Sequence, residues 1–159
     1  MIDLRRLFSV LHDGRVDFIL IGGVAARAHG SARVTQDVDV CYSRSAGNLE
    51  RLVAALGPLK PYLRGAPPGL PFEWSVATLR AGLNFTLTTT AGDLDLFGEV
   101  LGAGSYEDLE PHTITARIYG RETRILDIPW LIRAKRAAGR PRDLEAIAEL
   151  EALEEERAE

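Results

Sequence analysis

The sequence predicts an α+β fold, in which helices flank a mixed β-sheet and two helices end the chain. Strand and helix patterns do not alternate regularly, which argues against a doubly wound parallel sheet. Strand patterns lie in adjacent pairs over 83–100 and 113–128, as antiparallel hairpins do. From residue 129 onward the periodicity is helical.

The first third of the chain predicts three helices and two strands. Asp13-Gly14 ends the first helix, and Ser45 is an N-cap for the third. Gly22-Gly23 separates a run of β-prone residues from a short helix. The predicted elements are a helix over 2–13, a strand over 16–21, a helix over 24–29, a strand over 36–42 and a helix over 46–56.

The rest of the chain begins with a loop over 57–71, which contains five prolines and three glycines and is expected to be mobile. No repeat or linker divides the chain, and 159 residues suit one domain over 1–159, with an acidic helical tail from about 144. The remaining predicted elements are a short helix over 73–81, strands over 83–90 and 94–100, a helical turn over 106–109, hairpin strands over 113–119 and 123–128, and helices over 129–138 and 143–156.

Composition excludes several classes of protein. The hydrophobic share of 46% and the charged share of 26% are those of a globular domain. A single cysteine, Cys41, excludes an intrachain disulfide and a cysteine-rich zinc site, so the cytoplasm is the expected compartment. The longest apolar stretch, 18–26, is far shorter than a membrane span, and no signal peptide is expected.

Charge is segregated along the chain, although the net charge is only −4. Residues 144–159 carry seven glutamates and one arginine, whereas 117–142 holds eight basic residues against two acidic ones. A basic stretch beside an acidic tail suggests a polyanionic ligand such as RNA. A solvated surface next to an acidic helix explains the same pattern.

Two Asp-x-Asp pairs are the candidates for chemistry. Asp37 and Asp39 point to the same face of one strand, where they repel each other unless a cation lies between them. Their hard oxygens suit Mg²⁺, although two solvated aspartates on an edge strand are an equally good interpretation. In the second pair, Asp95 is the better ligand because its neighbours are apolar, and Asp93 is interpreted as a turn residue.

Two further features are weak by themselves. Gly22 and Gly23 lie at a strand-to-helix junction, where glycine lets a phosphate approach the backbone but also serves in an ordinary tight turn. Lys135 lies three and four residues beyond Ile132 and Leu131, and therefore shares the buried face of its helix. We expect its ammonium to face an anion in the same cleft as the aspartates; the alternative is a lysine that reaches water at the helix edge.

Together these pieces resemble the nucleotidyltransferase superfamily typified by DNA polymerase β. The resemblance is carried by Leu20-Ile21-Gly22-Gly23, by Asp37-Val38-Asp39-Val40 after a spacer of thirteen residues, and by a third strand aspartate, Asp95. The stretch 22–39, Asn84-Phe85 and the block 131–144 look like the bacterial and archaeal branch that includes toxins of the AbiEii kind. The resemblance spans roughly 16–152.

The resemblance implies a polymerase β-like core and transfer of a nucleoside monophosphate from an NTP such as ATP. Asp37 and Asp39 would hold Mg²⁺ with the nucleotide phosphates, and Asp95 would bind the catalytic metal and receive the acceptor's proton. Lys135 is the fourth catalytic candidate and would oppose phosphate charge. The candidates for nucleotide binding are Gly22 and Gly23 at the triphosphate, Arg33 and Arg142 against phosphate charge, Ser31 near phosphate, and Asp143, which otherwise only complements a helix dipole.

Three functions stay open at the level of sequence. The first is an enzyme whose hydroxyl acceptor is tRNA or another RNA, a protein or a small molecule. The second is the same enzyme as the toxin of a toxin–antitoxin pair, with an antitoxin or a second subunit as partner. The third is a module of this fold that binds a nucleotide or a partner without catalysis, against which the presence of all three carboxylates argues.

Overall fold

A seven-stranded mixed sheet forms the centre of the protein in the computed structural model, which describes residues 2–33, 35 and 37–158. The strands are β1 (Phe18–Ile21), β2 (Asp37–Tyr42), β3 (Tyr62–Leu63), β4 (Asn84–Thr89), β5 (Gly92–Phe97), β8 (Thr113–Ile118) and β9 (Arg121–Leu126). Their spatial order is β3-β4-β5-β2-β1-β9-β8. The neighbours β2 and β5, and β1 and β9, are parallel, whereas the other pairs are antiparallel.

Helices flank this sheet, and two of them end the chain, which confirms the predicted fold class. The helices are α1 (Leu4–Asp13), α2 (Gly22–Ala28), α3 (Ala46–Leu56), α4 (Val76–Ala81), α5 (Tyr106–Leu109), α6 (Ile128–Ala138) and α7 (Pro141–Ala158). α6 packs against α7 and α2, whereas α1 packs against α3. No helix in the described part of the chain is long and apolar enough to cross a membrane.

The central strands carry the core. All four residues of β1 are buried, because β1 lies between β2 and β9 and other parts of the fold cover both faces of the sheet there. Val38 and Val40 of β2 are fully buried, so they hold the strand down while the intervening aspartates face the other way. Alternation in one strand thus fixes both a core face and a polar face.

The helix ends use the predicted signals. Ser45 accepts a hydrogen bond from the Asn48 amide at the start of α3. Asp127 does the same for the Trp130 amide at the start of α6, and Gly139 ends α6 in the left-handed conformation at φ +67°. This glycine lets the chain reverse, so that α7 packs back along α6 beside the sheet.

The structure departs from the prediction at two strands. The segment 57–71 is not one loop, because Gly57–Leu59 forms a 3-10 turn and β3 pairs with β4. The predicted strand over 94–100 divides at Gly98, whose amide donates to the Asn84 side chain and so ends the pairing. Residues Glu99–Val100 (β6) then pair with Gly104–Ser105 (β7). Gln36, the predicted first residue of β2, lies outside the described residues.

Candidate active site

Parallel pairing of β2 with β5 brings the two Asp-x-Asp pairs together. In this register Asp39 lies opposite Asp95, and Asp37 lies opposite Asp93. Residues opposite each other in neighbouring strands share a face of the sheet. One carboxylate oxygen from each of Asp37, Asp39 and Asp95 therefore lies within 4.8 Å of the other two.

Asp39 is the carboxylate at the centre of this group. Burial, followed by the negative charges of Asp37 and Asp95, raises the pKa of Asp39 to about 7, and the charge of Lys135 opposes this rise. Its Oδ1 atom is buried and accepts no hydrogen bond from the described residues. A buried, unpartnered carboxylate oxygen is costly, and either a proton or a cation relieves this cost.

The donor set fits a divalent metal ion. It consists of hard carboxylate oxygens, and Oδ1 of Asp39 supplies a ligand that no donor among the described residues uses. Three carboxylates with one strongly raised pKa show that the site is short of positive charge. Asp37, Asp39 and Asp95 are accordingly the residues that could hold such an ion.

Gly22 allows this packing, because Asp39 lies directly over it. Gly22 has φ +67°, and a Cβ atom built there would overlap the Asp39 carboxylate. A Cβ on Gly23 would lie 2.9 Å from the Thr35 Cβ. The glycine pair of the sequence is therefore required by the close approach of Asp39 in β2 and of Thr35, which precedes that strand, whether or not the site binds a ligand.

A cleft of about 490 Å³ opens over the carboxylates. It is lined by residues from the sheet, from the segment that follows α2, and from α6 and α7. The predicted site residues that line it are Gly23, Ser31, Arg33, Asp37, Asp39, Asp95, Lys135, Arg142 and Asp143. Gly22 lies under Asp39 and is not among the lining residues.

Lys135 and the buried Asp143 form an ion pair at the wall of this cleft. The Lys135 ammonium lies 3.6 Å from Asp143 Oδ1, and the Lys135 side chain is 24% exposed. Asp143 is 1% exposed and accepts hydrogen bonds from the backbone and guanidinium of Arg140. These bonds lower the pKa of Asp143, so it stays ionised and holds two cations toward the cleft.

Ser31 and Arg33 reach the cleft but already have partners on α7. The Ser31 hydroxyl donates to Glu149, and the Arg33 guanidinium lies 3.1 Å from Glu145. Arg33 is also 3.9 Å from Glu149. These contacts join the segment after α2 to the acidic C-terminal helix.

Three residues of the site lie outside the set of site residues that the sequence predicts. Asp93 is not a turn residue: it lies within β5 and lines the cleft, whereas the side chain of Thr89 closes the turn. Arg64, from the segment predicted as a loop, donates to Asp95 at 2.7 Å. Arg140 lines the cleft beside Arg142. A lone arginine in a Pro/Gly-rich segment has no periodicity that would predict its partner.

Comparison with solved structures finds the same architecture in nucleotidyltransferases. A Thermotoga maritima protein assigned as a nucleotidyltransferase shares 14% identity with a TM-score of 0.59, covering 94% of both chains. The lincosamide antibiotic adenylyltransferase LnuA, lincomycin-bound, shares 14% identity with a TM-score of 0.60, covering 96% of this chain and 98% of its own. ANT(2″)-Ia in complex with adenylyl-2″-tobramycin shares 16% identity with a TM-score of 0.57, covering 98% and 92%.

No protein-family model matches the chain, and no curated protein matches it. The similarity to solved structures therefore concerns the fold, and the AbiEii-like branch stays a prediction from sequence. The protein has the α+β fold seen in nucleotidyltransferases, with two C-terminal helices beside the sheet.

Proposed function

We propose that this protein is a Mg²⁺-dependent nucleotidyltransferase that moves a nucleoside monophosphate from an NTP, such as ATP, to a hydroxyl acceptor. One observation carries the proposal: Asp37, Asp39 and Asp95 converge in one cleft with Lys135, on a nucleotidyltransferase fold. Acidic groups and a cation facing the same space suit a metal-bound polyphosphate, since each sign of charge then has a partner.

The residues have distinct roles in this reaction. The acceptor oxygen bonds to the α-phosphorus, the bond to the bridging oxygen breaks, and pyrophosphate leaves. Asp37, Asp39 and Asp95 would hold Mg²⁺, which stabilises charge on the attacking and leaving oxygens when bound. Asp95 would take the proton of the acceptor hydroxyl.

The cations of the cleft would bind the phosphates. Lys135 and Arg142 line the cleft and oppose phosphate charge, with Asp143 orienting Lys135. Gly23 lines the cleft and would present its backbone to a phosphate. Ser31 and Arg33 must exchange their contacts with Glu149 and Glu145 before they bind nucleotide.

A small-molecule acceptor is favoured over RNA. Most basic residues of the stretch 117–142 are already paired with acidic groups of the same chain, which leaves little free charge for a phosphate backbone. The paired residues are Arg121, Arg124, Lys135, Arg136 and Arg140. LnuA and ANT(2″)-Ia, which share the fold, are described with antibiotic molecules. A role as a toxin with an antitoxin partner remains a separate prediction, which a neighbouring antitoxin gene would test.

Transfer of label tests the proposal. The chain is incubated with Mg²⁺ and each α-labelled NTP, with total RNA, total protein or a panel of hydroxylated small molecules. We expect label in one acceptor class, and its loss in Asp39→Asn and Asp95→Asn. Asp17→Asn, a matched change at an exposed aspartate remote from the cleft, should keep activity. Nucleotide binding without transfer to any acceptor would instead favour the non-catalytic binding module.

A further inference from the structure

The guanidinium of Arg64 lies among the carboxylates of the site. Its Nη2 donates to Asp95 Oδ1 at 2.7 Å and to the Leu87 carbonyl at 2.7 Å. Its Nε lies 3.3 Å from Asp93 Oδ2, and its Nη1 lies 4.0 Å from Asp37 Oδ2. One arginine thus contacts carboxylates of both Asp-x-Asp pairs.

This contact neutralises part of the site and leaves part of it unsatisfied. Within the described part of the chain, neither Asp39 Oδ1 nor the buried Arg64 Nε has a hydrogen-bond partner. A planar guanidinium donates in fixed directions, so it cannot converge on three carboxylates as a spherical cation can. Arg64 is therefore a partial substitute for a divalent ion.

Arg64 lies at the edge of the sheet, where its side chain can move away from the carboxylates. It follows the two-residue edge strand β3, and its amide donates to the Thr86 carbonyl at 3.0 Å. The side chain is 28% exposed, so its withdrawal does not open the core. The next residue, Gly65, has φ +80° and open space around its Cα.

We propose that Arg64 is a built-in competitor of the divalent cation, bound to Asp95 and Asp93 until the metal displaces it. The inference rests on the proposed function for the presence of a metal at this site. Both cations use Asp95 Oδ1, and a metal there would repel the guanidinium. Metal binding is then coupled to movement of the Arg64 side chain. Before the metal binds, the guanidinium offsets the repulsion between the carboxylates.

Binding of Mn²⁺, followed by the electron paramagnetic resonance signal of the free ion, tests this proposal without an activity assay. Arg64→Gln should bind Mn²⁺ about tenfold more tightly than the unmodified protein, because one adjacent positive charge shifts a carboxylate equilibrium by a factor of this size. Arg51→Gln is the matched control: Arg51 pairs with Asp17 at 3.4 Å, away from the site, and its loss should leave Mn²⁺ affinity unchanged.

Equal or weaker Mn²⁺ binding by Arg64→Gln would overturn the proposal while leaving the metal site intact. Absence of Mn²⁺ binding in both proteins would contradict the metal site of the proposed function, and the competitor with it. A second measurement uses the unmodified protein, in case Arg64→Gln does not fold. In an ¹⁵N spectrum of arginine Nε groups, Mg²⁺ should shift the Arg64 signal and not that of Arg51; an unmoved Arg64 signal at saturation would also reject displacement.

Discussion

At the scale of the single residue, Asp39 combines burial with two charged neighbours. Its position follows from alternation in β2, which buries Val38 and Val40 and turns Asp39 to the polar face. The register with β5 then adds Asp95, which the local sequence of β2 does not contain. In the folded protein the neighbouring carboxylates repel the Asp39 carboxylate. An aspartate at this position is therefore expected to serve a ligand that binds its charge.

Asp39→Asn is predicted to stabilise the protein in metal-free buffer at about pH 8. The raised pKa, about 7, means that folding disfavours the ionised carboxylate, so a neutral amide of the same shape relieves the repulsion. The gain should be at least about 1 kcal/mol, or ~3 °C in melting temperature. Thermal unfolding in EDTA measures this gain in stability, and the same variant should lose any stabilisation by Mg²⁺.

Asp37→Asn, at a more exposed carboxylate, should weaken Mg²⁺–NTP binding or abolish transfer while keeping the fold.

Gly22→Ala is predicted to destabilise the protein more than Gly120→Ala. Both glycines have positive φ, which costs a residue with a Cβ about 1–2 kcal/mol. Only at Gly22 would the new Cβ also overlap the Asp39 carboxylate, since Gly120 has open space around it. The difference in free energy of unfolding, from denaturant titration, should exceed about 1 kcal/mol. Equal losses would mean that Asp39 moves aside without cost.

At the scale of the element, the wall of the cleft depends on the turn between α6 and α7. Gly139 in the left-handed conformation ends α6, and Asp143 then lies in the first turn of α7 with 1% exposure. From there it accepts bonds from Arg140 and faces Lys135 of the preceding helix. Lys135 of α6 and Arg140 of the turn that follows thus share one buried carboxylate at the start of α7.

Lys135→Ala is predicted to weaken binding of Mg²⁺–NTP by about tenfold, the value of one charge-assisted contact, with little change in melting temperature. Folding should tolerate the change because Arg140 still satisfies Asp143. The matched control on the same helix is Arg136→Ala, which removes a pair with Glu151 at 2.7 Å outside the cleft. Isothermal titration calorimetry with Mg²⁺–NTP measures the affinity of both variants. Similar affinities would mean that Lys135 does not bind the nucleotide.

At the scale of the whole molecule, His29 connects three separate elements. It ends α2, and it is 4% exposed. Its Nε2 lies 2.8 Å from the Leu126 carbonyl at the end of β9, and Arg157 of α7 donates to its Nδ1 at 2.9 Å. This pattern requires the neutral ring, with Nε2 protonated and Nδ1 free to accept.

The contribution of His29 to stability is predicted to disappear in acid. Burial lowers its pKa, and Arg157 lowers it further, while the Leu126 bond and the charge of Asp127 oppose the shift. A lowered pKa in the folded state gives stability that is present above the unfolded pKa of about 6.5 and is lost as pH falls toward the folded pKa. Burial lowers the pKa of His12 as well, with the same sign.

The difference in melting temperature between the unmodified protein and His29→Gln isolates this effect, because Asp39 titrates with the opposite sign in both proteins. The difference should shrink by ~3 °C or more from about pH 8 to about pH 5, which corresponds to about 1 kcal/mol for a chain of this length. A difference independent of pH would contradict a neutral, buried His29.

Local patterns predict most elements of this chain correctly. The strands β1, β2 and β4 and the helices α1, α3 and α6 lie within a few residues of their expected bounds. Two misses have a common cause. β3 has only two residues, too few for alternation, and it exists because β4 offers a free edge. The end of β5 at Phe97 is likewise decided elsewhere, by an Asn84 side chain on the neighbouring strand.

The sequence by itself determined which residues could do chemistry. Asp37, Asp39 and Asp95 stand out because carboxylates between apolar strand residues are costly without a partner, and this is a local property. Lys135 stands out in the same way on its helix face. Only the tertiary structure decided that they share one cleft, that Arg64 and Asp93 belong with them, and that Ser31 and Arg33 are paired with α7. The reason is that periodicity encodes the direction of a side chain, whereas its partner depends on strand register and on contacts between residues more than one hundred positions apart.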